Sequence, residues 1–537
     1  MRNRQTGKIK TGIALLLLLT LPLALLPVQA EANGVNDAAA PAPHVLLVYD
    51  SLARGTTREG NVESLQLMLA AFGAKVTILS MDDYEPAMLR SYTKVVAVHN
   101  QPGGASGPAG SNREAYNHDL TVYNGDYMYI GSSSSLPDNV RKELQLKTVE
   151  AQADGLDALQ LTMGQWSQSA IPVEGIDYVT DVKEDVVRYG TLTSEISSLQ
   201  SPYAIRGGPY AVVPYYERGN LSELAISYVL RDWLGIVPAE AQTYLLVQDV
   251  YPFSDLGLLT KLSDELYESG IPFLISVQPV FSNTDYPAMQ RYVDALKQVQ
   301  SNNGAVLVNA PVVASTLQPD QVTLRTQMAS FLDVLTEGGV APLGAAAELY
   351  WSYDEHYAVQ GLSFFDSGVL RRTERPMYRV PTNTSKPFRS SLYPLSPDQL
   401  AAFEQDGPVM SGLPINTALT IGLPKSEEEL EQTVQMLQEL WISFSDYKLE
   451  HHRVRTDANT VESRNGQLIL NGEVIGLDEE HLPITEDFKY TEEHRKSFTR
   501  LFAWQNRFFV AVIILSLIVF GILFRIGYKL HRRKYLK

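Results

Sequence analysis

The sequence predicts an α/β protein: an N-terminal layered parallel-sheet domain, then a second unit able to close into a (β/α) barrel, plus a C-terminal transmembrane helix. Three observations carry this. Short apolar runs alternate with amphipathic helical stretches in two separate blocks, one opening at His44 and one near Gln242. Alternation of that kind gives parallel strands, because parallel neighbours need a crossover, and several such units in series can close on themselves. Near the other end, residues 508–524 carry no charge, and a helix of that length at about 1.5 Å per residue approaches the hydrocarbon thickness of a bilayer.

Taken in order, residues 1–30 have the layout of a signal peptide. Arg2, Arg4, Lys8 and Lys10 precede an apolar run, 13–26, broken only by Thr20 and Pro22, and Val28 and Ala30 flank Gln29 as a signal peptidase requires, so cleavage is expected after Ala30. An uncleaved anchor is the alternative. An Ala/Pro linker, 31–43, leads into the layered domain, 44–240. Its pattern is strand 44–49, helix 61–72, strand 75–79 and strand 94–98. Ligands of such sheets sit at the carboxyl ends of strands, which marks Asp50 and Ser51 after the first strand and His99 and Asn100 after the third. Asp50 reads better as the cap of a turn. Gly103, Gly104, Gly107 and Gly110 lack the Gly-Lys-Ser/Thr ending of a phosphate-binding loop and read as a plain loop. Short strands at 127–130 and 203–215 and a helix at 221–234, with Trp233 in the core, complete this part.

The second block, 241–449, opens with a strand ending in Asp249, followed by helix 256–267, strand 273–277, helix 288–299 and strand 305–309. Runs 362–365 and 418–423 supply further strand candidates, and a helix over 426–444 starts on a cap-like Ser426 with three glutamates in its first turn. The region 450–507 reads as a membrane-proximal hairpin and helical stalk: 467–470 and 474–477 flank Asn471-Gly472, and 486–502 is charged and helical. His451 and His452, adjacent in the chain, read as surface residues. Trp504 and Tyr528 flank the apolar span as interface anchors, and Arg525, Lys529, Arg532, Arg533 and Lys534 make 525–537 a basic cytoplasmic tail. The expected location is the cytoplasmic membrane, single-pass, with the N-terminal mass outside.

Composition narrows the function classes. The 537 residues carry a formal net charge of -17, and both ends are basic, so the part between them is more acidic still. Nucleic acid is therefore an unsuitable partner. With no cysteine there are no disulfides, thiolate metal sites or lipidated cysteine anchor.

The stretches YLLVQDVYP, SGIPFLISVQPVF and NNGAVLVNAPVV, over roughly residues 242–315, resemble bacterial polysaccharide-deacetylase-like proteins of the NodB-like barrel type, in their YdaL-type membrane-anchored branch. The resemblance implies an Asp-Asp pair after the first barrel strand and a His-x-x-x-His pair after a later one, in which one aspartate is general base and the other holds a divalent ion with the two imidazoles. Here Gln248 stands at the first aspartate, Asp249 at the second, and Asn309 and Val313 at the histidines. An amide cannot take the proton that general-base catalysis removes. Only His356 lies between Gln242 and Asp446, so no two-histidine site is available within this block. The expectation is thus a pseudoenzyme that binds a polysaccharide or cell-wall glycan and needs no cofactor, a divalent metal being required only if the chain is an active deacetylase with a non-standard site. A structural subunit of a membrane polysaccharide synthase complex is the third reading.

Catalytic candidates reduce to Asp249 and to His356, which lies beside Asp354 and Glu355 and on that account is expected to have a raised pKa. Expected substrate-binding residues are Gln248, Asp249, Tyr251, Asn309, Trp351, Tyr353 and His356, with Phe281, Tyr350 and Tyr357 as further rings. Flat rings stack on sugars while carboxylates and amides bond hydroxyls, although aromatic residues also supply much of any core.

Overall fold

Strand β1 (His44–Tyr49) has four consecutive apolar residues, Val45 to Val48, with no exposure, because both faces of its sheet are covered. The structure is a computed structural model that describes residues 42–101, 111–150, 157–173, 175–197, 199–237, 240–311, 321–405, 412–440, 442–476 and helical stretches within 509–529. The signal-peptide region, the glycine run 103–110, Val313 and the 486–502 segment lie outside the described residues, as does part of 508–524. Among the described residues, no helix is long and apolar enough to cross a membrane.

Parallel strands β2 (Lys75–Ser80), β3 (Lys94–Val98) and β4 (Asp126–Ile130) build on β1, with helices α1 (Asn61–Ala71) and α2 (Ser111–Leu120) in the crossovers. The chain then runs through β5 (Lys147–Glu150), β6 (Asp157–Met163), β7 (Trp166–Val173), β8 (Asp177–Asp181), β9 (Val187–Tyr189), β10 (Thr191–Ser194), β11 (Gln200–Ser201), β12 (Ala204–Gly207) and β13 (Tyr210–Val213). The main sheet has the order β2-β1-β3-β4-β13-β12-β9. Helix α3 (Leu221–Leu234) follows, held at its start by the Asn220 side chain and ended by Gly235 in the left-handed region.

The second unit is a closed, all-parallel barrel of β14 (Thr243–Val250), β15 (Phe273–Val277), β16 (Gly304–Asn309), β17 (Pro342–Glu348), β18 (Ser367–Arg371) and β19 (Ser390–Leu395), with β20 (Glu404–Gln405) outside it and β21 (Thr417–Gly422) closing back on β14. Helices α4 (Leu256–Glu268), α5 (Pro287–Ser301), α6 (Gln321–Glu337) and α7 (Glu427–Glu439) pack outside. The Ser426 cap and its glutamates start α7, which ends at Glu439, five residues short of the expected end. Three strands, β17 to β19, are absent from the pattern read in the sequence. Strand β17 reads PLGAAAE, with none of the branched residues that mark strands, and its small side chains have a reason. A Cβ on Gly344 would lie 2.6 Å from the Ser367 carbonyl oxygen, and one on Gly368 would lie 2.5 Å from that of Ala345. The expected strand 362–365 is instead the end of a π-turn, Ala358–Leu362, followed by a turn into β18.

The two units share one core. Nearly all of α1 is buried, because it lies between the N-terminal sheet and the barrel. Strand β20 leaves the barrel to pair with β7. The hairpin at Asn471-Gly472 is present, with both residues at positive φ (52° and 89°), joining β24 (Gln467–Leu470) to β25 (Glu473–Val474). With β22 (His452–Arg455) and β23 (Thr460–Arg464) it forms a four-stranded sheet packed on the barrel.

His452 corrects its surface reading. It is 1% exposed, stacks on Tyr447 at 3.7 Å between centroids, and its ring nitrogens meet the Ser367 hydroxyl at 2.8 Å and the Tyr447 carbonyl at 2.9 Å. The carbonyl can only accept, so Nε2 donates to it, and in the neutral imidazole Nδ1 accepts from the Ser367 hydroxyl. Burial lowers its pKa from 6.5 to about 4, and exposed His451 pushes in the same direction. Since the unfolded chain binds that proton more readily, the stability from neutral His452 is whole above pH 6.5 and is lost as pH falls toward 4. Equilibrium denaturation between pH 7 and 4 is expected to show stability falling by up to about 3 kcal/mol from this group, at ~1.4 kcal/mol per unit. In His452→Gln the profile over that window should be flatter, with lower stability at pH 7.

Candidate functional site

The first barrel strand ends in an irregularity: its register against β15 jumps between Val247 and Val250. Asp249, inside that bulge, has φ 57°, a conformation that a non-glycine residue adopts at a cost of ~1–3 kcal/mol unless its surroundings impose it. They do. Its N–H donates to Ser276 Oγ at 3.0 Å, and its carboxylate is met from three other strands. Gln278 Nε2, just beyond β15, donates to Oδ1 at 3.3 Å, and Asn309 Nδ2, ending β16, donates to it at 3.1 Å. Arg371 Nη1, ending β18, lies 2.9 Å from each carboxylate oxygen and 3.4 Å from Gln248 Oε1.

Asn309 is fully buried, and donating to Asp249 fixes which way its amide points. That leaves Asn309 Oδ1 and Arg371 Nε buried without a protein partner, places for ordered water or a ligand hydroxyl. Glu348, ending β17, is in register with Arg371 and accepts from the Glu374 N–H at 3.1 Å. Burial raises its pKa, and the Glu374 carboxylate adds to the rise. An open cleft of about 580 Å³ adjoins the carboxylate, lined by Gln248, Asp249, Ser254, Thr420, Leu423 and Lys425 among others. In the segment between the lining residues Asp249 and Ser254, Tyr251 stacks on Phe253 (4.9 Å between centroids, 26° between planes), and Phe253 is 63% exposed.

This donor set does not suit the divalent ion of a deacetylase. Oδ1 of Asp249 already accepts from three N–H groups, and a dication bonded to the same carboxylate would face the Arg371 guanidinium at close range. Asn309 presents its amide nitrogen, which cannot bind a metal. Among the described residues, no group of three or more His, Cys, Asp or Glu is placed to hold a metal ion.

The structure thus brings Gln248, Asp249, Asn309 and Tyr251 together at the barrel mouth and separates the others from it. Trp351 and Tyr353 are 2% and 4% exposed, and Tyr350 and Tyr357 are as deeply buried. Trp351 stacks on Tyr357 at 4.5 Å, so its face is already covered, and a Cβ on Gly361 would come within 2.6 Å of its ring. These rings fill the junction with the N-terminal unit and offer no platform to a sugar. His356 is buried too, and its Nε2 meets Arg379 Nη1 at 3.2 Å. Burial and then Arg379 lower its pKa, outweighing Asp354, contrary to the expected rise. Asp354 spends its carboxylate on the backbone N–H groups of Tyr357, Arg379 and Val380. In the N-terminal sheet Asp50 bonds the N–H groups of Asn100 (2.8 Å) and Gln101 (3.4 Å), the turn-closing role. His99 lies 3.8 Å from it, stacked on Tyr129.

Sequence reasoning missed Arg371, Gln278, Glu348 and Phe253. A signal for Arg371 existed: SGVLRR reads as a short apolar strand ending in two arginines, had the strand not been placed at 362–365.

No family model matches this chain. Over 92 residues it is 32% identical to the uncharacterized protein YdaL of Bacillus subtilis (strain 168), a stretch that covers 16% of this chain and only 16% of YdaL. Among solved structures, the crystal structure of a beta-arabinopyranosidase is similar over 59% of this chain and 60% of its own, at 8% identity and a TM-score of 0.21.

Burial separates the two groups of rings experimentally. Trp351→Ala is expected to cost about 3–5 kcal/mol in urea denaturation, as truncation of a buried aromatic does, whereas Phe253→Ala should change stability by less than about 0.5 kcal/mol.

Proposed function

We propose that this chain is a membrane-anchored extracytoplasmic protein whose barrel is a deacetylase-like scaffold converted to binding a cell-envelope or exopolysaccharide glycan. The observation that carries this reading is the Arg371 guanidinium on Asp249: a cation supplied by the chain stands against the carboxylate that would otherwise hold a metal. Such a pair has nothing to activate a water molecule, while its donors and acceptors suit hydroxyl groups. Gln248 and Gln278 add amide ends at the same mouth, and the Tyr251–Phe253 stack offers a flat apolar face to a sugar ring. Anchoring is supported by the apolar run 508–524, whose described residues are helical and exposed, including Phe509, Leu517, Phe520 and Phe524, and by the basic residues that follow.

Two measurements test the reading. After brief exposure of the ectodomain, about 31–496, to zinc, cobalt or nickel and desalting, no stoichiometric ion should remain; retention that vanishes in Asp249→Ala would sink the binding-only assignment and make acetyl release the next assay. In a glycan screen, binding should be indifferent to chelators and should weaken roughly tenfold in Tyr251→Ala or Phe253→Ala without loss of stability. For the anchor, deleting 508–537 is expected to move the protein from the membrane fraction to the soluble one, and a deletion variant that still sediments with membranes would refute that part.

A further inference from the structure

The barrel strand β18 ends in two consecutive arginines that serve different partners. Arg371 bonds Asp249 in the mouth, and Arg372, pointing the other way as successive strand residues do, bonds Glu223 of α3 in the N-terminal unit at 3.0 Å. Glu223 is 1% exposed and accepts also from Ser64 Oγ (2.6 Å), the Tyr393 hydroxyl, the Gly219 N–H (2.8 Å) and Gln399 Nε2 (3.1 Å). The chain beyond Arg372 stays on the N-terminal unit. The Thr373 N–H donates to Glu63 Oε1 of α1 at 2.7 Å. Further on, the β18–β19 connection runs along the free edge of β2: the Ile78 N–H donates to the Asn383 carbonyl and the Ser385 N–H to that of Val76, both at 2.8 Å, with Thr77 and Thr384 hydroxyls 2.9 Å apart.

We infer that Arg372 is the positioning residue of the barrel mouth: through the Arg372–Glu223 pair the N-terminal unit fixes the end of β18, and with it the guanidinium of Arg371 on Asp249. The binding mouth is then a property of the two units together, and anything that shifts α1 or α3 shifts the ligand seat. The β19–β21 connection is also tied to the N-terminal unit, through Gln399 and β20, but at β18 the tether begins on the residue next to the functional one. The inference rests on the glycan-binding reading only in treating the mouth as the site. Its test uses no ligand, so the two can fail separately.

The test follows arginine reactivity in the full chain. Phenylglyoxal, an arginine-selective dicarbonyl, is applied under initial-rate conditions, and modification of Arg371 and Arg453 is read by peptide mass spectrometry. Arg453 pairs with Asp366 at 2.9 Å on β22, at the far end of β18, and serves as the internal control. In Arg372→Gln the Arg371 rate should rise roughly tenfold while that of Arg453 holds, and Arg372→Lys, which keeps the cation, should restore most of the protection. Glu63→Ala, a milder change at a half-buried position, should raise the Arg371 rate by a smaller factor and decides the matter if Arg372→Gln does not fold. An unchanged Arg371 rate, or equal acceleration at Arg371 and Arg453, would overturn the assignment, the latter because it would report general loosening.

Discussion

Glu223 places a carboxylate where almost no water reaches it, and a charge in that position survives only if every lone pair is answered. The answers come from across the fold: Ser64 on α1, Gly219 before α3, Arg372 after β18, Tyr393 on β19 and Gln399 beyond it. Three of these donors belong to the barrel side and two to the N-terminal unit. The cluster is complete only when the two units meet, so it ties the placement of the barrel to that of the sheet. The continuous core around α1 and the pairing of β20 with β7 follow from the same junction. Apolar burial supplies most of the attraction there, while the polar cluster selects one register among the many that apolar contact alone would tolerate.

That rigidity reaches the barrel mouth because parallel barrels concentrate strand ends on one face. Gln248, Asn309, Glu348 and Arg371 come from four strands far apart in sequence and meet only because the sheet closes. The bulge at Asp249 costs conformational energy, and its N–H bond to Ser276 together with the bonds its carboxylate accepts from Gln278, Asn309 and Arg371 define what offsets it. The Asp249 side chain is 40% exposed and that of Arg371 19%, so solvent screening holds the ion pair itself to about 1 kcal/mol. Its value to the fold is geometric: it holds a strained residue in one orientation at the edge of an open cleft.

Much of this architecture was legible in the sequence where local pattern decides structure. Strands β1 to β3 and β14 to β16, helices α3 to α5 and the Asn471-Gly472 turn all have the periodicity or turn chemistry that physics demands of them. Legibility failed where the chain serves a neighbour instead. Strand β17 is Gly/Ala-rich because β18 lies too close for branched side chains, so the usual strand signal is missing for a reason visible only in three dimensions. Trp351 and His452 look like surface candidates in a linear reading and are core residues, because Trp351 packs on Tyr357 and Gly361, and His452 packs on Tyr447 and bonds Ser367 at the start of β18. The candidate site was half visible: Gln248, Asp249 and Asn309 could be placed at strand ends, but Arg371, which decides the chemistry, follows a strand that was itself misplaced.

The charge balance at the mouth has a physical logic. A carboxylate presented by a strained bulge needs donors fixed around it to keep one orientation. Arg371 supplies a cation from the end of β18, and Asn309 and Gln278 add neutral amide donors. The pair is neutral overall, so its field falls off quickly and it exerts little pull on free ions. What it presents at short range is a fixed set of donors and acceptors beside an open cleft. Arg372 takes no part in that balance, because successive strand residues face opposite ways and its guanidinium lies on Glu223.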